Sequence, residues 1–340
     1  MKCKHEIDIG SETHNGCDNH VKLVLKTGVV EKSFCQNKCP YRVDVSEGLG
    51  DTAAKVLSSV GITKKRVSAV IGKDCGCTGR QDALNNIVRY ETPKIQPICL
   101  DNATRHLLYR IYPMTHNDSW KWNLDQLAKR WSVFNGKTIL AIGYDSKTAM
   151  PSEVLSYCEQ IGIQFDQVIR KRNIPELREV VTWFPLLESL NPESAQPDEI
   201  VFAAHSKGVR HDTGSEHIRW WAELMYQLCL DDIETVQRHL MGRIFAGAFR
   251  RFNQFDFPGN HIWHYSGTFY WFRLHDVGKR SWRHVDQFFA GTESWPGAVA
   301  ERHEGSCLFA DNCGDLYDRG YWEREILPAW KARMVNANRA

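Results

Sequence analysis

The sequence predicts an α/β fold, in which helices flank a mainly parallel sheet, preceded by a small cysteine-rich module. From His106 onward, short apolar runs alternate with stretches of helical periodicity, which is the pattern of βαβ units. All 12 Trp residues lie at or beyond Trp120, whereas residues 1–94 hold six of the 11 Cys residues. We therefore expect two domains, residues 1–94 and 95–340, with a junction near the two prolines of residues 92–97.

Composition excludes several classes of protein. Hydrophobic residues make up 42% of the 340 residues and charged residues 25%, which is enough apolar content for a large folded core. The formal net charge of +2 does not indicate a polyanion-binding protein, so we do not expect a nucleic-acid partner. The apolar runs are far shorter than the roughly 20 residues of a membrane span, and the first residues lack the apolar stretch of a signal peptide. We therefore expect a cytoplasmic protein without a membrane span.

The N-terminal module needs a source of stability other than a large apolar core. Residues 1–94 contain only three aromatic side chains, and a metal site is the expected staple in a cytoplasmic protein, where disulfides are rare. Residues 21–25 and 29–34 have the pattern of a hairpin that turns at Thr27 and Gly28. A zinc ribbon places its ligand pairs on either side of such a hairpin, so the sequence predicts a zinc-ribbon-like module with a structural zinc ion.

Cysteines before and after this hairpin are the candidate ligands. They are Cys3, Cys17, Cys35, Cys39, Cys75 and Cys77. We expect the first four to form a tetrahedral site, in which His5 or His20 could replace one cysteine. The Cys75-x-Cys77 pair could bind metal alone or complete a site with upstream cysteines. Because the spacing is not the tight C-x2-C repeat, reduced structural cysteines without metal are the alternative.

A second set of motifs in the module carries a resemblance. The string G-L-G-D at residues 48–51, a short helix that ends at Gly61, and C-G-C-x-x-R-Q at residues 75–81 occur in this order. This string is similar to a small module of phage and bacterial proteins, in which C-x2-C often takes the place of C-x-C.

Strands and helices alternate in the C-terminal domain. The predicted strands are residues 107–113, 137–144, 165–169, 199–204 and 263–272. The predicted helices are residues 120–134, 151–161, 175–184, 215–231 and 233–241. Nearly continuous apolar runs such as residues 137–144 are typical of buried parallel strands, and two of the helices open with a proline. We expect Pro185 to end or kink the third helix, because proline removes a backbone donor.

Polar side chains follow three of the predicted strands. These segments are residues 112–116, 145–147 and 205–208. In mainly parallel sheets, ligands bind beyond the carboxyl ends of the strands. The sequence therefore predicts a site at this edge of the sheet.

Three short motifs resemble those of one family. They are F-A-A-H-S-K-G at residues 202–208, Arg219-Trp220 on the following helix, and H-Y-S-G-T-F-Y-W-F-R at residues 264–273. Over about residues 105–300 the chain is similar to the rhamnan synthesis protein F family of polysaccharide glycosyltransferases. The order of Arg219 and Trp220 is reversed here, and Ser266 stands where that family usually has Ala. The resemblance implies a nucleotide-sugar-dependent transferase of the GT-A type with a Rossmann-like sheet.

Cations in these motifs suit the diphosphate of a nucleotide-sugar donor, whose negative charge must be stabilised as it leaves. The candidate donor-binding residues are His205, Lys207, Gly208, Arg210 and Arg273. The Asp-x-Asp pair that holds a metal in many GT-A enzymes has its nearest counterpart in Asp231-Asp232, at a helix boundary. A divalent metal in the transferase site is therefore left open. The alternative is that His205 and Lys207 merely cap and solvate a loop.

An inverting transferase also needs a base that deprotonates the acceptor hydroxyl. Glu293 is the first candidate, in a predicted loop at residues 292–297, with Asp145 second and Asp276 third. The candidate sugar contacts are His264, Ser266, Gly267, Thr268 and Trp295. The small residues among them allow close approach of a ligand to the backbone. The alternative is that Glu293 is an exposed loop carboxylate.

The sequence therefore predicts a glycosyltransferase that moves a sugar from a nucleotide-diphosphate donor to a glycan or other acceptor. The alternative is a catalytically inactive binding protein, which would dock a partner through the zinc-binding module. The missing Asp-x-Asp favours the alternative, whereas the segments around His205, Lys207 and Glu293 favour the enzyme.

Overall fold

The computed structural model describes residues 97–210, 215–252 and 263–337, together with three short strands nearer the N-terminus. The chain divides into two units, Met1–Lys94 and Ile95–Ala340. No helix of these described residues is long and apolar enough to cross a membrane.

In the first unit, three strands form an antiparallel sheet. They are β1 (Glu6–Ile7), β2 (His14–Cys17) and β3 (Val29–Glu31), in the order β1-β2-β3. The described partner of β3 is thus β2, whereas the predicted partner, residues 21–25, lies outside the described residues. The side chains of the cysteines predicted to bind zinc also lie outside the described part of the chain, and those cysteines are Cys3, Cys17, Cys35, Cys39, Cys75 and Cys77.

Eight strands of the described residues form the central sheet of the second unit. The strands are β4 (Thr104–Ile111), β5 (Thr138–Tyr144), β6 (Gln167–Arg172), β7 (Glu199–His205), β8 (Phe245–Phe252), β9 (Trp263–Tyr265), β10 (Tyr270–Arg273) and β11 (Gly305–Asp311). Their order is β11-β8-β10-β7-β4-β5-β6, with β9 paired to β8. Strands β7, β4, β5 and β6 are mutually parallel, whereas β10 runs antiparallel to both β7 and β8. The prediction of a mainly parallel sheet is confirmed.

Helices cover both faces of this sheet. They are α1 (Ser119–Ala128), α2 (Pro151–Gln160), α3 (Val180–Glu188), α4 (Glu216–Leu230), α5 (Ile233–Met241), α6 (Leu274–Gly278), α7 (Gly291–Val299), α8 (Arg319–Tyr321) and α9 (Leu327–Ala337), with a π-helical turn at Trp322–Ile326.

Alternate side chains of each buried strand enter two different hydrophobic cores. In β7, Phe202 belongs to the core that α1, α2, α4 and α5 cover, while Val201 and Ala203 belong to the core under α3, α6 and α7. Successive strand side chains point to opposite faces, so apolar residues at every position require helices on both sides. This arrangement explains why the strand runs read as continuously apolar.

Four predicted elements differ from the structure. The predicted helix at residues 120–134 is the shorter α1 followed by a 3-10 turn at Trp131–Val133. Strand β6 begins two residues later than predicted and is polar at its end, as befits an edge strand. Residues 292–297 were predicted as a loop but lie in α7.

The fourth difference concerns α3, which begins at Val180 and continues through Pro185 to Glu188. Of the two predicted effects of Pro185, an end or a kink, the structure contradicts the end of the helix. Trp183, Leu186 and Leu187 of α3 are buried against the sheet, and this burial outweighs the one backbone hydrogen bond that proline removes. The later start of α3 leaves Arg178 and Glu179 in the turn before it.

Candidate functional site

A cavity of about 410 Å³ opens at the carboxyl edge of the parallel strands. Seven predicted site residues line it, namely His205, Lys207, Gly208, Arg210, His264, Ser266 and Glu293. Tyr112 of the predicted strand-end segments also lines it, as do residues that the sequence did not single out, among them Arg110, Arg178, Glu179, Trp221, Arg251, Phe289, Asp315 and Tyr317. The cavity therefore forms where ligands are expected in a sheet of this topology.

The loop after β7 is fixed from two sides. The Ser206 backbone N–H donates to the Arg110 carbonyl at 2.9 Å, and the Ser206 hydroxyl accepts from the Tyr112 N–H at 3.1 Å. On the other side, the buried Asn123 amide donates to the Lys207 carbonyl at 2.9 Å and accepts from the Lys207 N–H at 3.2 Å. Gly208 then turns the chain with φ +83°, a conformation that favours glycine. These bonds hold the Lys207 backbone in place.

Lys207 is buried although it carries a charge. Its side chain is only 6% exposed, and its ammonium nitrogen lies 3.5 Å from the centre of the Trp221 ring and 5.6 Å from that of Tyr317. Among the described residues, it forms no ion pair with a carboxylate. Contact with aromatic faces compensates part of the lost hydration, yet a buried unpaired ammonium favours an anionic ligand.

Glu179 contacts both Arg110 and His205 at the cavity. Its Oε1 accepts from Arg110 Nη1 at 3.0 Å and lies 3.1 Å from His205 Nδ1. Burial alone would raise the pKa of Glu179, but Arg110 and His205 together hold it well below its usual range. The anionic Glu179 favours a proton on His205 Nδ1, so the ring is oriented with Nε2 away from this contact.

Glu293 lies in the first turn of α7 and is partly buried at the cavity. Burial raises its pKa, while nearby Lys207, His205 and the Gly267 backbone oppose this rise. Its pKa is raised in total, which brings the carboxyl group closer to the range useful for proton transfer near neutral pH.

The turn between β9 and β10 adds the floor beside Glu293. The predicted strand at residues 263–272 is interrupted here, where Gly267 adopts φ +100° and Thr268 φ +45°. A Cβ at Gly267 would lie 3.0 Å from the Met225 sulfur, so both backbone angle and space require glycine. Thr268 is buried and its hydroxyl lies 3.3 Å from that of Thr292, so it supports the turn and does not line the cavity.

Asp145, the second candidate base, lies behind the cavity wall. It accepts hydrogen bonds from the Tyr112 hydroxyl at 2.5 Å, the Asn173 amide at 3.0 Å and the Lys147 N–H at 2.9 Å. Burial would raise the pKa of Asp145, but these three donors lower it in total. Asp145 does not line the cavity and contacts it through Tyr112, so it is placed as a positioning residue.

Three further predicted residues lie away from the cavity. Arg273 is paired with Ile200, where β7 begins, because β10 runs antiparallel and ends at the opposite edge of the sheet. There its Nε lies 2.6 Å from Asp276, which removes Asp276 as a base for this site as well. Trp295 is fully buried and donates to the Trp282 carbonyl at 2.9 Å, so it is a core residue and not a sugar contact.

Several N–H groups at the cavity have no hydrogen-bond partner. Among the described residues, buried donors without a partner include Arg110 Nε, Arg178 Nε, Trp221 Nε1 and Arg251 Nε, all from residues that line the cavity. Buried donors are almost always paired in folded proteins. Their concentration here indicates a ligand rich in acceptor oxygens.

The unpredicted residues had few local signals. Arg110 and Arg251 interrupt apolar runs of β4 and β8, and a cation inside a buried strand is unusual enough to have marked them. Arg178 and Glu179 lie outside the helix that was predicted to contain them. Trp221 and Tyr317 reach the cavity only through the packing of α4 and the chain after β11.

The described residues provide no cluster of metal ligands at this site. No group of three or more His, Cys, Asp or Glu side chains is placed to hold a metal ion within the described parts of the chain. Asp231 pairs with Arg130, and Asp232 caps α5 by accepting from the Thr235 N–H at 2.9 Å, so both have structural roles.

No protein-family model matches this chain, and no curated protein matches it.

Proposed function

We propose that residues 95–340 form a glycosyltransferase of the GT-A type, which transfers a sugar from a nucleotide-diphosphate donor to a glycan or other acceptor. The observation that carries this proposal is the pairing of unneutralised cations with one carboxyl group of raised pKa in the same cavity. Lys207, Arg178 and Arg210 form no ion pairs among the described residues, and Glu293 lies in the electrostatic reach of Lys207 and His205.

The cations suit the leaving group of this reaction. As the bond between the anomeric carbon and the phosphate oxygen breaks, its electron pair leaves with the nucleoside diphosphate, and negative charge grows on that oxygen. Lys207 and His205 stabilise the charge, and Arg178 and Arg210 hold the remaining phosphate oxygens. The fixed backbone around Lys207 means that its ammonium needs little reorganisation when the charge develops.

Glu293 suits the acceptor side of the reaction. In a direct displacement, the acceptor oxygen attacks the anomeric carbon while its proton passes to the Glu293 carboxylate. The products are the glycoside, the nucleoside diphosphate and one proton, which Glu293 later releases to solvent. A general base of this kind contributes about 10²–10⁴-fold to the rate.

The contacts among Arg110, Glu179 and His205 orient the imidazole that acts in this chemistry. Glu179 neutralises Arg110 and contacts His205 Nδ1. This contact holds the His205 ring in one orientation at the cavity. We assign Glu179 as a positioning residue, because it acts through His205.

The N-terminal cysteines are proposed to hold a structural zinc ion. The support for this part of the proposal is the number and type of the ligands in residues 1–94, since thiolates are the ligands that zinc prefers.

A turnover assay tests the proposed activity. Each of a panel of UDP-, GDP-, dTDP- and CMP-linked sugars is incubated with the full chain and a mixture of oligosaccharide acceptors, and released nucleotide is quantified. We expect release from donors of one nucleotide, lowered about 10²–10⁴-fold by Glu293→Gln. Glu159→Gln, an exposed carboxylate on α2, serves as the matched control and should leave turnover unchanged.

The outcome also separates the enzyme from the binding protein. If a nucleotide binds to the folded chain but no donor is turned over with or without acceptors, the inactive binding protein replaces the transferase. Turnover that is unaffected by Glu293→Gln would refute the role of Glu293 as the base.

A further inference from the structure

Two consecutive arginines of β8 have different surroundings. Arg250 forms an ion pair with Asp311 of the neighbouring strand β11, with Nε 2.8 Å from Oδ1. Arg251 points to the other face, lines the cavity, and forms no ion pair with a carboxylate of the described residues. Its Nε is buried without a hydrogen-bond partner in that part of the chain. A guanidinium held in this way favours an acceptor-rich anionic group.

Arg251 lies at the far end of the cavity from the proposed diphosphate site. Strand β10 separates β8 from β7, so Arg251 lies about two strand spacings, or roughly 10 Å, from the end of β7 that carries His205 and Lys207. A further spacing separates it from Arg110 on β4. This separation of the backbones favours a second anionic group at Arg251 over one diphosphate that engages both ends.

Among the described residues, no side chain around Arg251 neutralises it. His264 faces Arg251 in the register between β8 and β9, and burial, assisted by Arg251, lowers its pKa to about 3, so it is neutral near pH 7. Asp315 also lines the cavity, but it forms no ion pair with Arg251. Ser266, beside His264, supplies a neutral hydroxyl group.

The position of Glu293 indicates that the acceptor extends towards the end of the cavity that contains Arg251. Glu293 is electrostatically coupled to Lys207 and His205, which in the proposed function hold the donor diphosphate. The base must contact the acceptor hydroxyl, so the acceptor extends from Glu293 away from these cations. The turn at Ser266 and Gly267, which contacts Glu293, leads in this direction to β9 and Arg251.

We propose that Arg251 forms an acceptor subsite for an acidic sugar, one that carries a carboxylate or a phosphate group. This inference rests on the proposed function for the assignment of acceptor and donor ends. The anion subsite itself rests only on the cavity, the unpaired guanidinium and the separation between the two groups of cations.

Saturation-transfer NMR on the full chain tests this subsite, because it detects weak binding of single sugars. The probes are glucuronate, glucose 6-phosphate and uncharged glucose, each with and without the nucleotide that binds best. The variants are Arg251→Gln, the donor-end variant Lys207→Met, and Arg243→Gln as the matched control. Arg243 is an exposed arginine just before β8, at the opposite edge of the sheet.

We expect a signal from at least one acidic sugar and none from glucose. Arg251→Gln should lower this signal at least 10-fold and leave nucleotide binding unchanged, whereas Lys207→Met should do the reverse and Arg243→Gln neither. Whether the carboxylate or the phosphate probe binds identifies the source of the anion. Arg251→Lys keeps the charge but loses the bidentate geometry, so it should bind the acidic sugar more weakly than the wild type and provides a second variant if Arg251→Gln is unfolded.

Three results would overturn the inference. They are the absence of signal from both acidic sugars, a signal that Arg251→Gln leaves unchanged, and a loss of nucleotide binding in Arg251→Gln equal to that in Lys207→Met. The last result would assign Arg251 to the donor site. Failure of the proposed function looks different, since no nucleotide would then bind while the acidic sugar still binds through Arg251.

Discussion

At the scale of residues, two carboxyl groups in one cavity have pKa values that are displaced in opposite directions. Glu179 contacts Arg110 and His205 directly, so its pKa is held well below the usual range despite burial. Glu293 forms no ion pair within the described parts of the chain, and burial raises its pKa. One group is therefore a permanent anion that orients its neighbours, and the other is suited to gain and lose a proton.

The Glu179→Gln variant should be strongly destabilised near neutral pH. It leaves the buried Arg110 without its counter-charge, which typically costs about 3–5 kcal/mol. Because the folded-state pKa of Glu179 is depressed, its stabilising effect is complete above the unfolded value of about 4.3 and declines as the pH falls below it. Urea unfolding at pH 7 and at pH 3 measures both effects, with Glu159→Gln as the control. Equal stability of Glu179→Gln and wild type at pH 7 would refute the assigned contacts.

Near neutral pH, the Glu293→Gln substitution should change the stability of the fold in the opposite direction, by stabilising it. The pKa of Glu293 is raised in the folded state, so the folded wild type loses stability as the pH rises from the unfolded value of about 4.3 through the raised value. We therefore expect Glu293→Gln to melt at a higher temperature than the wild type at pH 7, with the difference vanishing at pH 3.5. Melting curves across this range test the sign. A variant that is less stable than the wild type at pH 7 would contradict the raised pKa.

At the scale of elements, β9 and β10 both run antiparallel to β8, and the turn between them lies near the carboxyl edge of the parallel strands. Residues before β10 reach the cavity, whereas Arg273 at its end lies at the opposite edge. A motif that is continuous in sequence is therefore divided between two edges of the sheet. The bulged turn at Gly267 is what connects β9 to Glu293 of α7.

Substitution of Gly267 by alanine should impair both stability and the site. The backbone angle of +100° and the 3.0 Å approach to the Met225 sulfur leave no unstrained place for a Cβ, which costs on the order of 1–3 kcal/mol. The shifted turn also moves the Gly267 backbone, which favours the charged form of Glu293, so turnover should change as well and we expect it to fall.

Gly162→Ala is the matched control for this prediction. Gly162 has φ +76°, but a Cβ there would meet no atom within 4 Å, and the residue follows α2 away from the cavity. It should lower stability by a similar backbone strain without an effect on turnover measured below its melting temperature. Equal turnover of the two variants would refute the connection between the turn and the site.

The elements also show how far the sequence predicts this structure. Apolar runs identified the parallel strands because both faces of β4, β5 and β7 are buried. Proline chemistry was less informative, since Pro175 was taken as the start of a helix that begins at Val180 and Pro185 was accepted inside it. Residues 292–297 were predicted as a loop, but the burial of Trp295 stabilises a helix there. These outcomes depend on tertiary packing, which local patterns do not contain.

At the scale of the whole molecule, the sequence prediction named the residues of the loop after β7 and Glu293, which the structure brings together around one cavity. It missed Arg110, Glu179 and Arg251, which come from three different elements and converge only through sheet order. It also included Arg273 and Trp295 because they adjoin motif residues in sequence. Successive side chains of a strand point to opposite faces of the sheet, and the two ends of a strand lie at opposite edges. Residues that are adjacent in sequence therefore need not share a site.

The N-terminal unit supplies a prediction that concerns the whole chain. If its cysteines hold zinc, then the purified chain should contain about one zinc ion by elemental analysis, and a chelator should lower the melting temperature of this unit. Substitution of Cys35 and Cys39 by serine should remove the metal. Full retention of zinc in that variant, or a metal-free chain of unchanged stability, would contradict the proposed zinc site.

The central claim is that Lys207 binds the diphosphate of a nucleotide-linked sugar, and calorimetric titration of UDP, GDP and dTDP, with the monophosphate CMP for comparison, tests it most directly. The titrations compare the wild type with Lys207→Met, which keeps the apolar stem against Trp221, and with Lys279→Met, an exposed lysine after α6 at the opposite edge of the sheet. We predict that one nucleotide binds the wild type and Lys279→Met equally, and that Lys207→Met weakens its affinity about 10- to 100-fold, as expected for the loss of a charged hydrogen bond. Binding of none of the four nucleotides to the folded chain, or equal affinity in Lys207→Met, would contradict the account.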